Sequence, residues 1–125
     1  MEGYKVSIIE SSKELSAKER IKYKDTGNAT KLDDVVSPDE TLILTPDAYI
    51  ILGVHNEKSD NKDYKVYLII DKSGNKYITG SESFFTSFLD IWDEMAEADD
   101  EYSVEVYKLE SKNYKGKYFL TCTIV

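Results

Sequence analysis

The sequence predicts a mainly β domain with one helix lodged between two hairpins, and three stretches carry that expectation. DYKVYLIIDKSGNKYITG (63–80) reads as two strands joined at a Gly-containing turn. SESFFTSFLDIWDEMAEADDE (81–101) reads as a capped amphipathic helix, and YSVEVYKLESKNYKGKYFLTCTIV (102–125) as a second strand pair. With one strand before Asp63 the order becomes β-β-β-α-β-β. That is the order of a five-stranded OB-fold-like barrel with its helix between strands three and four. The expected organisation is a single domain, with 1–40 as an N-terminal extension and 41–125 as the barrel core.

Tyr4–Ile9 is short and β-prone, an extra edge strand or an arm. The segment ESSKELSAKERIKYKD has capping-box spacing at Ser16 and Glu19, but Leu15, Ile21 and Tyr23 make no convincing apolar stripe. A short helical turn or an irregular basic segment is the favoured reading. Thr26-Gly27-Asn28 is turn material, and KLDDVVSPDE is a polar connection in which Pro38 disfavours helix at Ser37.

Thr41–Leu44 opens a strand, Pro46-Asp47 interrupts it, and Ala48–His55 resumes it. Gly53 there suits a bulge or a sharp bend, as a small barrel needs at its corner. NEKSDNKD (56–63) is a charged loop. Along the next strand Tyr64, Val66, Leu68 and Ile70 share one face, and Lys65, Tyr67 and Ile69 the other. Gly74 supplies the positive φ of the DKSGN hairpin loop. In the helix, Ser81 or Ser83 provides the cap. Phe84, Phe88, Trp92 and Met95, with Phe85, Leu89 and Ile91, form the apolar face, and the run Asp99–Glu101 ends it.

At 125 residues, 41% hydrophobic and with ten tyrosines, the chain can bury a core without disulfide staples. Its single cysteine, Cys122, sits in an apolar β run and reads as a buried, inert thiol. The start MEGYKVSIIESS does not look like a signal peptide, and no apolar run reaches the roughly 20 residues of a membrane span. The expectation is a cytoplasmic protein.

Chemistry is sparsely encoded. There is no phosphate-binding Gly loop, no dinucleotide fingerprint and no nucleophile elbow. His55, the only histidine, stands at a strand end as a half-exposed residue able to touch a ligand but without a nucleophile beside it. Asp90, Asp93, Glu94 and Glu97 fall at i, i+3, i+4 and i+7, and read as a solvated face rather than a metal site. No catalytic residue, metal or cofactor is expected.

Net charge is −8, which disfavours a polyanion as partner. The distribution softens this. Nine acids and no base lie between Glu82 and Glu105, whereas four lysines face one acid from Val106 to Val125. Screening over about 8 Å lets such patches act separately. Lysines also alternate with rings. Tyr64, Tyr67, Tyr77 and Tyr114 are candidate stacking platforms, and Lys58, Lys62, Lys65, Lys76, Lys112, Lys115 and Lys117 candidate phosphate contacts, with Lys18, Arg20, Lys22 and Lys24 as a basic arm. The plainer reading, that tyrosine is common in strands and lysine in loops, stands level with it. The loops around 56–63 and 109–119 are where an OB-fold takes a single strand.

The segments HNEKSDNKDYKVYLIID, KYITGSESFFTSFLDIW and SKNYKGKYFLTCTIV resemble the phage-encoded single-stranded DNA-binding proteins of Gram-positive hosts. The resemblance covers Leu42–Val125, with a weaker likeness in KELSAKERIKYKD. It implies sequence-tolerant binding of single-stranded DNA in replication and recombination, no cofactor, self-association, replication or recombination proteins as partners, and the host cytoplasm as location. Bacterial single-stranded DNA-binding proteins end in a flexible acidic tail that recruits partners, whereas the last residues here are the apolar strand LTCTIV, so tail-mediated recruitment is not expected. A rival from another class is an acidic inhibitor or DNA mimic that places Asp90–Glu105 in a basic groove. A small hydrolase built on His55 is a third.

Overall fold

The computed structural model describes residues 3–58, 60–98 and 100–125. Asp99, expected to help end the helix, and Ser59 of the charged loop lie outside these. The chain is mainly β. Its elements run β1 (Tyr4–Ser11), α1 (Ala17–Lys24), β2 (Thr30–Lys31), α2 (Leu32–Val35), β3 (Leu42–Leu44), β4 (Pro46–Asn56), β5 (Asp63–Asp71), β6 (Lys76–Thr79), α3 (Glu82–Ala98), β7 (Val104–Glu110) and β8 (Tyr118–Ile124). From residue 41 onward, hairpin, helix and hairpin follow in the expected order. Packing divides the chain into two compact units, one of residues 1–30 and 47–80, the other of 31–46 and 81–125.

The first unit is built on a sheet of order β1-β4-β5-β6-β2. One face carries Ala48, Ile50 and Leu52 of β4 with Leu68 and Ile70 of β5, all 0–4% exposed, and Val6, Ile8, Leu15, Tyr23, Ala29, Val66 and Ile78 pack against them. Residues expected to form an extension are therefore part of this core. The α1 segment is a two-turn helix rather than an irregular stretch. Ser16 and Glu19 close a reciprocal capping box, with Glu19 N donating to Ser16 Oγ at 3.2 Å and Ser16 N to Glu19 Oε1 at 3.1 Å. At its other end Lys76 Nζ donates to the carbonyls of Lys22 and Asp25, both at 3.0 Å. These partners, together with Tyr23 against the core, hold a helix whose apolar stripe is weak.

Gly53 is not bulged. The irregularity lies opposite, in β1, where Ile8 pairs Leu52 and Glu10 pairs Ile51, leaving Ile9 as the extra residue. Gly53 instead gives room: a Cβ there would stand 3.0 Å from Ile9 Cδ1. The DKSGN turn forms as expected, with Gly74 at φ 90° and Asp71 Oδ1 accepting from Ser73 N and Asn75 N at 3.0 and 2.8 Å.

In the second unit, β3-β7-β8 form an antiparallel sheet. Leu44, Val104, Val106, Leu120 and Cys122 are buried, as are Phe84, Phe85 and Phe88 of α3. Ser81 is the cap, its Oγ accepting from Phe84 N at 3.2 Å. The segment read as a polar connection is anchored: Leu32 and Val36 are 0% and 2% exposed, and Val36 N bonds to Leu32 O as α2 closes. Two apolar side chains four residues apart among acids were enough to fold one turn inward.

The run from Leu42 to Asn56 serves both sheets in turn. Leu42–Leu44 pairs with Val104–Val106, and after Thr45 the chain enters β4 at Pro46. Proline lacks the N–H a continuing ladder needs, so the change of partner falls there. Among the described residues no helix is long and apolar enough to cross a membrane.

Candidate nucleic-acid interface

Of the tyrosines assigned to stacking, Tyr64 lies on the core face of β5, Tyr67 and Tyr77 lie on the other face of β5-β6, and Tyr114 belongs to the second unit. Leu68 pairs Ile78 and Ile70 pairs Lys76 on the core face, whereas Tyr67 pairs Thr79 and Ile69 pairs Tyr77 on the other. Tyr67, Ile69 and Thr79 are 6%, 1% and 4% exposed, so β5 is buried on both faces through its second half. Tyr67 is thus withdrawn from any ligand. Tyr64 and Tyr77 are half-buried. Burial, and then the Asp71 carboxylate beside it, push the Tyr77 hydroxyl above its ordinary value. The unbroken run YLII carried the signal, since a strand covered on both sides loses its alternation.

The lysines divide as well. Lys76 is committed to the end of α1, and Lys62 Nζ pairs with Glu57 at 3.3 Å. Lys58 and Lys65 are exposed, as are Lys18, Arg20, Lys22 and Lys24 along α1.

The turn between β7 and β8 is open to solvent. Lys112, Tyr114, Lys115 and Lys117 are all exposed, with the Tyr114 ring 65% accessible and Lys117 Nζ 5.9 Å from its centroid. Ser111 N–Lys117 O and Lys117 N–Tyr114 O bonds hold the turn, and Gly116 takes φ 81°. Sequence reasoning missed the surface this turn continues. Leu109 lies opposite Phe119, Tyr107 opposite Thr121, and Ile43 opposite Glu105. These side chains share the outer face of β3-β7-β8. Ile43, Leu109 and Phe119 are 58%, 45% and 45% exposed. The alternation that buries Val104, Val106, Leu120 and Cys122 forces this set outward, so counting the second face of each strand would have found it.

His55 sits in the first unit between two carboxylates. Nδ1 lies 2.8 Å from Asp63 Oδ1 and Nε2 2.7 Å from Glu57 Oε1. A neutral imidazole can donate from one nitrogen only, so both contacts as donated bonds require the imidazolium. Its pKa is raised above the ordinary 6.5, first by the Asp63 bond and then by the Glu57 bond. That of Glu57 is lowered from 4.5, chiefly by the bond from His55. The His55 contribution to stability is complete below pH 6.5 and is lost as pH rises through the raised folded value. The Glu57 contribution exists above about 4.5 and is lost as pH falls through the lowered one. The difference in urea midpoint between the native chain and His55→Gln should therefore be largest near pH 5–6.5 and shrink on the alkaline side. A difference independent of pH would refute the clamp.

Cys122 is 8% exposed, and burial pushes its thiol up to about 11, which leaves it protonated and unreactive at neutral pH. Asp90, Asp93, Glu94 and Glu97 are exposed, and no metal-holding cluster of His, Cys, Asp or Glu occurs among the described residues. No family model, curated protein or solved structure matches the chain.

Proposed function

We propose that the protein binds single-stranded nucleic acid without enzymatic activity, through the outer face of β3-β7-β8 and the turn that joins β7 to β8. The observation that carries this reading is the combination on one hairpin of three exposed lysines with exposed rings, Tyr114 in the turn and Phe119 at the start of β8. Unpaired bases need flat faces to stack on, each worth about 1–3 kcal/mol, and cations along the phosphates. The order from β3 to β8 supports an OB-like arrangement, with Leu42–Asn56 as one strand that changes sheets. The role that fits is coating single strands in phage-type replication or recombination, as a homo-oligomer in a host cytoplasm.

Retardation of an oligo-dT as salt is varied tests this. Binding should weaken with log[salt] at a slope of about −0.7 per phosphate neutralised, and Lys112→Gln/Lys115→Gln/Lys117→Gln should reduce that slope by roughly 2. Tyr114→Ala should lose about tenfold in affinity without moving the salt slope, since a stacking contact releases no counterion. Absence of retardation at any ionic strength would overturn the reading. It would favour the acidic inhibitor instead, for which the exposed carboxylates of Asp90, Asp93, Glu94 and Glu97 are the supporting observation.

A further inference from the structure

A second basic feature, formed by Lys5 and Lys65, lies in the first unit. Lys5 pairs directly with His55, and Ser7 with Gly53, across β1 and β4. His55 bonds to Asp63, so Asp63 and, two residues on, Lys65 share that face from β5. Lys5 and Lys65 therefore stand on the strands that flank β4, about 10 Å apart across the sheet and offset by two residues, about 7 Å, along it. Between them is a groove of about 380 Å³ whose lining includes Lys5, Ser7, Ile9, His55 and Lys65, together with the Asp63 carboxylate.

Three features suit the groove to one kind of occupant. Both lysines are exposed, and among the described residues neither has an ion-pair partner. The nearby carboxylates are already taken: Asp63 by His55, Glu57 by His55 and Lys62. Ile9 lies over Gly53, where a Cβ would stand 3.0 Å from its Cδ1 and 3.2 Å from its Cγ1, and the bulge leaves this apolar side chain 54% exposed in the groove. Two unpaired ammonium groups facing one groove match a tetrahedral dianion, and the aliphatic Ile9 side chain between them matches a sugar or base.

We propose that this groove binds a phosphate-bearing nucleotide unit, its phosphate held between Lys5 and Lys65 and its sugar or base laid against Ile9. The site stands without the interface on β3-β7-β8, and the phosphate has two sources: a free nucleotide, or a phosphodiester of a single strand. His55 is the sole histidine in the chain, so its Hε1 proton gives a single histidine NMR signal that reports on the groove. Inorganic phosphate, thymidine 5′-monophosphate, thymidine and oligo-dT are titrated separately at fixed ionic strength.

Expected is a saturable shift of the His55 signal with thymidine 5′-monophosphate, weaker binding of inorganic phosphate, and none of thymidine. Lys5→Gln and Lys65→Gln should each weaken binding about threefold, as exposed charge pairs do, and about tenfold together. A shift with the mononucleotide alone assigns the groove to free nucleotides, and one with oligo-dT alone to a strand. Either upholds the site provided the double variant diminishes it. An unsaturable shift, or one equal in the double variant, overturns it. Retention of oligo-dT with a silent His55 signal would sink the groove and leave the proposed function intact. A lysine-dependent phosphate response without oligo-dT retention would do the reverse.

Discussion

Phe88→Ala is expected to lower stability by about 3–5 kcal/mol, the usual cost of emptying a fully buried aromatic site. Phe88 is 0% exposed, with ring centroids 6.5 Å from Phe84, 5.8 Å from Phe85 and 6.0 Å from Trp92. The i, i+3 and i, i+4 spacing makes these four rings one stack along α3, so the cavity left at the centre cannot close by a small shift. Urea unfolding followed by the fluorescence of Trp92, the only tryptophan, reads this directly. At a slope of about 1.5 kcal/mol/M the midpoint should fall by roughly 2 M or more. Asp90→Ala, on the exposed side of the same helix, should stay within about 0.5 kcal/mol. Comparable shifts for the two variants would show that the aromatic stack does not organise the helix.

Tyr67→Ala is expected to cost about 3 kcal/mol, because its ring is buried where an unbound stacking platform would lie open. The same substitution at Tyr114, 65% exposed, should leave stability within about 0.5 kcal/mol. The two tyrosines then separate by readout. Tyr67→Ala moves the urea midpoint, and Tyr114→Ala moves the affinity for oligo-dT. A Tyr67→Ala protein as stable as the native chain but deficient in oligo-dT binding would restore Tyr67 to the ligand surface and contradict its placement.

The residue pattern alone determined the local elements. Period-3.6 aromatics gave α3, period-2 alternation gave β7 and β8, and Asp71 with Gly74 gave the hairpin turn between β5 and β6. Ser16 and Glu19 encoded the start of α1, and the exposed turn from Lys112 to Lys117 was visible as lysine around Tyr114 and Gly116. These features depend on contacts within a few residues, which a sequence displays.

Only the tertiary structure decided which faces are covered. Alternation in Tyr64–Ile70 distinguishes two sides of a strand but not whether one or both are buried, so it leaves Tyr67 on a face that reads as open. Leu15, Tyr23 and Ala29 lie 53, 45 and 39 residues from Leu68 in sequence, yet they pack against its core. The pairing of Lys5 with His55 spans fifty residues, and nothing local to either announces it. Burial and cross-strand register are sums over distant partners, and a one-dimensional pattern carries no record of which partners meet.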